Sequence, residues 1–425
     1  MNELRITSLV VDHLAQLLAQ VMRFDGPADA VMSRYFKQHA KLGSRDRSLI
    51  AEAVFFALRR YASLRWMMQP AKPERAARLA ALVTLARQHG IAALDGRALR
   101  NDERAVRHAL AMKLGSAPRA VQSEVPSWLY QRVSRQYAEA DALLAALTAP
   151  APLDLRVNTQ RASRDDVLGE LRATTRLHAP LHAESTPYSP EGIRLTEKPG
   201  LTRWPLYQDG KIEVQDEGSQ LLGHLLQPKR GEMVVDFCAG AGGKTLLLGA
   251  LMKNIGRLYA FDVSDKRLAN LKPRLARSGL SNVHPARIEH ERDTKIKRLA
   301  GKVDRVLVDA PCSGLGTLRR NPDLKWRQSA DSVAELAAKQ AAILDAAAKL
   351  VRPGGRVVYA TCSLLTAEND AVVEAFLAAH PDFTLTPASG VLAGHGILLD
   401  GDFLRLLPHR HNTDGFFAAI LDKKA

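Results

Sequence analysis

The stretch MVVDFCAGAGGKTLLLGALMKNIGRLYAFD (233–262) decides how the chain is read. A short β-branched run, Met233–Phe237, predicts a strand; CAGAGGKT (238–245) is a glycine-rich turn; LLLGALM (246–252) predicts a helix; RLYAFD (257–262) predicts a second strand. A glycine-rich turn between strand and helix lets backbone N–H groups approach an anionic or polar ligand at the helix N-terminus. It is not a Walker loop, whose first glycine is missing, and glycines at 240, 242 and 243 do not give the dinucleotide spacing G-x-G-x-x-G. Asp262 sharpens the reading, because an acid at the end of the second strand accepts hydrogen bonds from ribose hydroxyls. The competing reading is an Asp that only caps the next helix. Ser264 already supplies a cap there, which favours the ribose role.

Outward from this unit the pattern repeats. NVHPARI (282–288), DRVLVDAPCSG (304–314) and GRVVYATCS (355–363) are further short runs, each followed by a loop or helix. Parallel strands with crossover helices, a doubly wound α/β sheet, follow from that alternation. A helix over 331–351 is expected to stop at Arg-Pro-Gly-Gly, and the tail 405–421 predicts a last strand after a turn at Asp414-Gly415. The α/β domain is placed at 206–425. Ahead of it, residues 121–205 read as a small α+β module, with a helix or helix pair from Pro126, a strand in PLDLRVNT (152–159) and Ser163 capping a helix. Residues 1–120 read as helical and Ala/Leu/Arg-rich. Helices are predicted over 45–68, 72–90 and 100–115, the latter two ended by glycines, and an amphipathic first helix carries Leu9, Val10, Leu14, Leu17, Leu18 and Val21.

Composition bounds the function. The chain has 425 residues, 46% hydrophobic and 25% charged, which is ordinary for a globular protein and excludes wholesale disorder. No run approaches the ~18 apolar residues of a membrane span, and the N-terminus lacks a cleavage site, so neither membrane nor secretion is expected. Three cysteines cannot build a disulfide framework, which places the chain in a reducing cytoplasm. A net charge of +15 points to a polyanionic partner or to a generally basic surface, and aromatics at 5% argue against a surface of stacking platforms.

All three cysteines fall in the α/β domain, at predicted strand ends, where open sheets bind their substrates. Cys312 follows the Asp309 strand and Cys362 follows its neighbour, so the two loops should lie a few ångströms apart. No Cys-x-x-Cys or paired-His spacing accompanies them, so no metal is expected. Two thiols and a carboxylate beside a cofactor loop suit the methylation of a poor carbon nucleophile such as carbon 5 of cytosine. A thiolate adds to carbon 6 while an acid supplies a proton or hydrogen bond at ring nitrogen 3, and carbon 5 becomes enamine-like and takes a methyl group. Loss of the carbon 5 proton then frees the enzyme. Chemistry alone does not say which of Cys362 and Cys312 attacks.

The ordered blocks VQDEGS (214–219), DFCAGAGGKT (236–245), DAPCSGLGTLRRNPDLKW (309–326), YATCS (359–363) and DGFF (414–417) resemble the Sun/NOP-type family of RNA cytosine-5 methyltransferases, its bacterial RsmB branch in particular. The loop departs from the family's C-A-A-P-G-G-K at Gly240 and Ala241. The resemblance implies that Cys362 is the nucleophile, that Cys312 assists release, and that Asp309 contacts the base and cofactor region. It implies S-adenosylmethionine as cofactor, held by Cys238, Ala239, Gly240, Ala241, Gly242, Gly243, Lys244, Asp262 and Asp293, with Glu289 and Glu291 competing for the role of Asp293. Arg319, Arg320 and Lys325 would hold RNA phosphates or form a solvated basic loop. GSRDRSLIAEAVFFALRR (43–60) is similar to the family's NusB-like helical domain, and PSWL (126–129) with PLDLRVNT to the start of its RRM-like module. The implied substrate is ribosomal RNA and the chain is expected to act as a monomer. Transfer RNA, or a non-catalytic RNA-binding role in ribosome assembly, are the rival readings.

Overall fold

The fold positions two cysteine loops and a glycine turn at the carboxyl ends of central strands in an eight-stranded sheet. In the computed structural model, which describes residues 5–99, 102–176 and 179–425, that sheet runs in the spatial order 383–386, 416–423, 351–361, 303–309, 233–236, 257–262, 283–287, with 404–406 paired to 416–423. The five strands from 283–287 to 351–361 pair in parallel, whereas Phe416–Lys423 runs antiparallel to its neighbours. From Met233–Asp236 the chain winds to one side through 257–262 and 283–287, then crosses back to Val303–Asp309 on the other. The crevice of such a sheet opens at that reversal, outside the carboxyl ends of the two central strands.

Both faces of the sheet are covered, which is why its strands are apolar at successive positions rather than alternately. Val234, Leu307 and Val358 join one core with the helices Glu217–Leu226 and Gly243–Leu251. Val235, Val306, Val308 and Tyr359 join the other, with the helices Ala330–Ala348 and Asp370–Ala379. The Arg352-Pro-Gly-Gly run does not stop the chain before a strand, as the sequence suggested. The strand already begins at Val351 and runs to Thr361, and the slip in register against Val303 and Arg305 absorbs the irregular residues.

A four-stranded antiparallel sheet of Ala183–Ser185, Gly192–Leu195, Leu153–Val157 and Ile212–Val214 belongs to the same compact unit, residues Ala151–Gly316 and Asp331–Ala425. The helix Arg164–Ala173 buries Val167, Leu168 and Leu171 against this sheet, and the Ser163 hydroxyl accepts from Asp166 N as its cap. The fourth strand lies beyond residue 205, where the sequence reading drew its boundary.

The other unit comprises Met1–Pro150 and Thr317–Ala330. Its core is built on Ser8–Val21, with Leu14, Leu17 and Leu18 fully buried among Ala28–Gln38, Ser44–Arg59 and Ala77–His89. Leu9, assigned to the buried stripe, is instead exposed. The single helix expected over 45–68 is two, Ser44–Arg59 and Tyr61–Met67, and the buried Glu124 carboxylate takes the Ser63 N–H freed by the break. The helix expected over 100–115 is Glu103–Ala111, and Gly115 sits in a separate turn rather than ending it.

Residues 317–330 overturn another expectation. Trp326 packs against Tyr61 and Phe24, and the Asp323 carboxylate accepts from Ala28 N, at the start of a helix whose N-cap is Pro27. Arg319 and Lys325 are buried with them, and the Lys325 ammonium donates to the Arg59 carbonyl at 3.1 Å. They are therefore neither a solvated basic loop nor ready phosphate ligands; Arg320 is half-buried. Among the described residues no helix is long and apolar enough to cross a membrane.

Candidate active site

At the crevice the register of the strands brings separate sequence blocks to one level. Asp309 pairs with Ala360, and Leu307 with Asp236. Counted from that Asp309–Ala360 pair, Cys312 lies three residues on and Cys362 two, and their Sγ atoms lie 3.4 Å apart. Gly316 N donates to the Cys362 carbonyl at 2.8 Å and Gly415 N to the Gly316 carbonyl at 2.9 Å, so the DGFF block braces the Cys312 loop. A Cβ at Gly316 would lie 2.3 Å from the Gly415 oxygen; only glycine lets the two backbones approach so closely. Asp216, the cap of Glu217–Leu226, accepts from Gly218 N and also from Asp414 N at 3.0 Å, which ties the VQDEGS block to the same place.

A cavity of about 990 Å³ opens beside these loops. Cys238, Ala239, Gly240, Ala241, Gly243 and Lys244 line it, with Asp236, Asp262, Asp309, Cys312 and Cys362. Gly242 is not on the wall; its φ of +83° makes the turn that starts the helix. Asp262 does two jobs. Its carboxylate accepts from Gly240 N at 2.9 Å and from Ser264 N at 2.7 Å, while the Ser264 hydroxyl caps the helix. Asp293 is placed differently from the sequence reading. Its carboxylate caps Thr294–Lys297, accepting from Lys295 N and Glu289 N, and it lies off the cavity wall that Glu289 and Glu291 help to form. Gln215 and Ser219, from the VQDEGS block, also line the cavity, as does Arg274, which nothing local in the sequence marked.

The charges are arranged against one another. Burial pulls the Lys244 ammonium down, but the Asp309 carboxylate at 2.7 Å outweighs it and the pKa ends above the usual value. Burial raises Asp236 to about 7, opposed by the Thr245 hydroxyl and reinforced by Asp309 and Asp262. Burial and the carboxylates of Asp236, Asp309 and Asp262 push the Cys238 thiol well up, which disqualifies it as a nucleophile. The hydrogen bond with Cys362, burial and the charge of Cys362 push the Cys312 thiol up as well. The pair therefore holds a thiol at Cys312 against the Cys362 sulfur.

A glycine turn at the switch point of a parallel sheet, lined by acids and facing a reactive side-chain pair, defines a Rossmann-like methyltransferase domain. The family model described as 16S rRNA methyltransferase RsmB/F matches residues 223–422, and its ferredoxin-like domain model matches 125–202. The probable ribosomal RNA small subunit methyltransferase B of Synechocystis sp. is 39% identical over 71% of this chain and 67% of its own length. That of Bacillus subtilis is 34% identical over 72% and 68%. Among solved structures, PH0851 superposes with a TM-score of 0.81 at 26% identity, covering 99% of this chain and all of its own. A methyltransferase homolog protein from Pyrococcus horikoshii reaches 0.61 at 30% identity, covering 72% of this chain and 97% of its own. The chain belongs to the RsmB/F methyltransferase family.

The family's methyl donor is S-adenosylmethionine, and the cavity suits it. Asp236 Oδ1 is buried there without a hydrogen-bond partner among the described residues, five carboxylates suit a cationic ligand, and Phe237, Val263 and Ile288 offer apolar walls to a purine ring.

Proposed function

We propose that the chain is an S-adenosylmethionine-dependent RNA cytosine-5 methyltransferase that acts on ribosomal RNA through a covalent Cys362–cytosine adduct. The observation that carries this reading is the approach of the two sulfurs to 3.4 Å on the wall of a cavity shared with the Lys244–Asp309 pair. Cys362 adds to carbon 6 of an unstacked cytidine, while Asp309, with the Lys244 ammonium behind it, holds the base edge. The cofactor supplies an electrophilic methyl to carbon 5. For release, a base takes the carbon 5 proton, the carbon 5–carbon 6 double bond re-forms, and the C–S electron pair returns to Cys362. The high-pKa Cys312 thiol donates a hydrogen bond to that departing sulfur. The RsmB names of the relatives and the surplus positive charge both support an RNA substrate.

The test is transfer of radiolabelled methyl from S-adenosylmethionine to ribosomal RNA and to transfer RNA lacking this modification, followed by nucleoside analysis. Label in 5-methylcytidine of ribosomal RNA is the expected result; label confined to transfer RNA would move the substrate, and RNA binding without label would leave an assembly factor. Cys362→Ala should abolish transfer. Cys312→Ala should leave enzyme covalently held on RNA, seen as a slow band on a denaturing gel; exchanged phenotypes would reverse the two roles.

A further inference from the structure

Glu368 is fully buried in the one-turn helix Thr366–Glu368, six residues beyond Cys362. Its carboxylate reaches both cysteine loops. Oε1 accepts from Ser313 N at 2.8 Å, and Oε2 accepts from the Ser313 hydroxyl at 2.6 Å and from the Ser363 hydroxyl. Gln340 Nε2, from the long helix behind, donates to Oε1 at 3.0 Å and to the Pro311 carbonyl at 3.0 Å. Every donor is neutral, and among the described residues no Lys, Arg or His pairs with this carboxylate.

A buried carboxylate without a counter-charge is costly, and the structure would not need one merely to fill space. An ionised carboxylate is acceptor-only, so it can gather the hydroxyls and the N–H of two loops at once. A neutral amide would turn its own donors toward one of them. We propose that Glu368 is a positioning residue that clamps Ser313 and Ser363 together and so holds the neighbouring Cys312 and Cys362 sulfurs in hydrogen-bond contact. The inference rests on the cysteine roles proposed above. Its charge also adds to what keeps Cys312 a thiol, after the Cys362 hydrogen bond, burial and the Cys362 charge. The clamp thus acts on both the distance between the sulfurs and the place of the proton they share.

The test uses the full chain with Glu368→Ala and Glu368→Gln, and three readouts. Phenylarsine oxide, which is captured tightly only by two adjacent thiols, reports the sulfur contact, with the modified cysteines mapped by mass spectrometry. Alkylation of Cys312 against pH reports its proton. Single-turnover and steady-state methylation report the chemistry, with S-adenosylmethionine binding as the control for folding. Glu368→Ala is expected to lose dithiol capture and about 100-fold in kcat, while the KM for RNA and cofactor affinity stay near the native values. If that chain melts early, Glu368→Gln, which fills the same space, is expected to move Cys312 alkylation and the pH–rate profile to lower pH. Native dithiol capture and pH profile in both variants would overturn the clamp. Methyl transfer by Cys362→Ala would instead overturn the cysteine roles, and dithiol capture would still read the clamp on its own.

Discussion

Five carboxylates, three cysteines and two lysines line the crevice, and burial sorts them. Cys238 and Cys312 are held as thiols, and burial, with Asp309 nearby, raises Asp236 to about 7 against the single side-chain hydrogen bond from Thr245 seen among the described residues. Two consequences of Asp236 are measurable. S-adenosylmethionine carries a sulfonium charge that S-adenosylhomocysteine lacks, so ionisation of Asp236 through about pH 7 should favour the cationic ligand increasingly as pH rises. Calorimetric titration of both ligands across that range checks this, and Asp236→Asn should flatten the difference. Stability has the opposite trend. The folded value lies above the ordinary 3.8, so the contribution is full below that value and is lost as pH climbs through about 7. Thermal melts of the cofactor-free chain should show Asp236→Asn without that loss.

At the scale of the element, the turn 238–244 depends on two glycines for different reasons. Gly242 has a φ of +83° and its missing Cβ would lie 2.1 Å from Leu271 Cδ1, in the core under the helix Asp265–Ser278. Gly240 also has a positive φ, +55°, but nothing lies within 4 Å of its missing Cβ. Gly242→Ala should therefore cost about 2 kcal/mol or more, strain and overpacking together, and weaken cofactor binding by displacing the loop. Gly240→Ala should cost only about 1 kcal/mol. Equilibrium denaturation of the two variants separates the contributions; equal losses would mean that the Leu271 contact relaxes freely.

At the scale of the whole molecule, the chain leaves the catalytic unit just after the Cys312 loop, contributes residues 317–330 to the core of the helical unit, and returns. Lys325 marks that excursion. Burial lowers its ammonium to about 7, with Glu124 opposing and Arg60 and Arg59 adding to the fall. Between about 7 and the ordinary 10.5 the unfolded chain binds a proton that the folded chain has released, so stability rises with pH across that window. Lys325→Met should raise the melting temperature at pH 7 and below, by about 1 kcal/mol or more of stability, and the advantage should shrink toward pH 10. A variant that is less stable at every pH would mean that the hydrogen bond to the Arg59 carbonyl outweighs the desolvation.

The strand–turn–helix–strand unit, the cap at Ser163 and the place of each cysteine just after a strand were legible in the sequence, because each depends on residues close together along the chain. The sequence also pointed to the loop 238–244 and Asp262, and the fold sets these around the cavity, with Gly242 behind its wall. Asp293 was misread, since its fate as a cap depends on where the chain turns after Arg287, and Arg319 and Lys325 were misread because their burial depends on helices more than two hundred residues away. The switch point of the sheet, the 3.4 Å between the sulfurs and the carboxylate of Glu368 joining their loops came only from tertiary structure. By itself the sequence determined the kinds of groups available and the order of the elements that carry them. The tertiary structure decided which groups meet and which are desolvated, because strand register and burial are set by packing between segments that are remote in the chain.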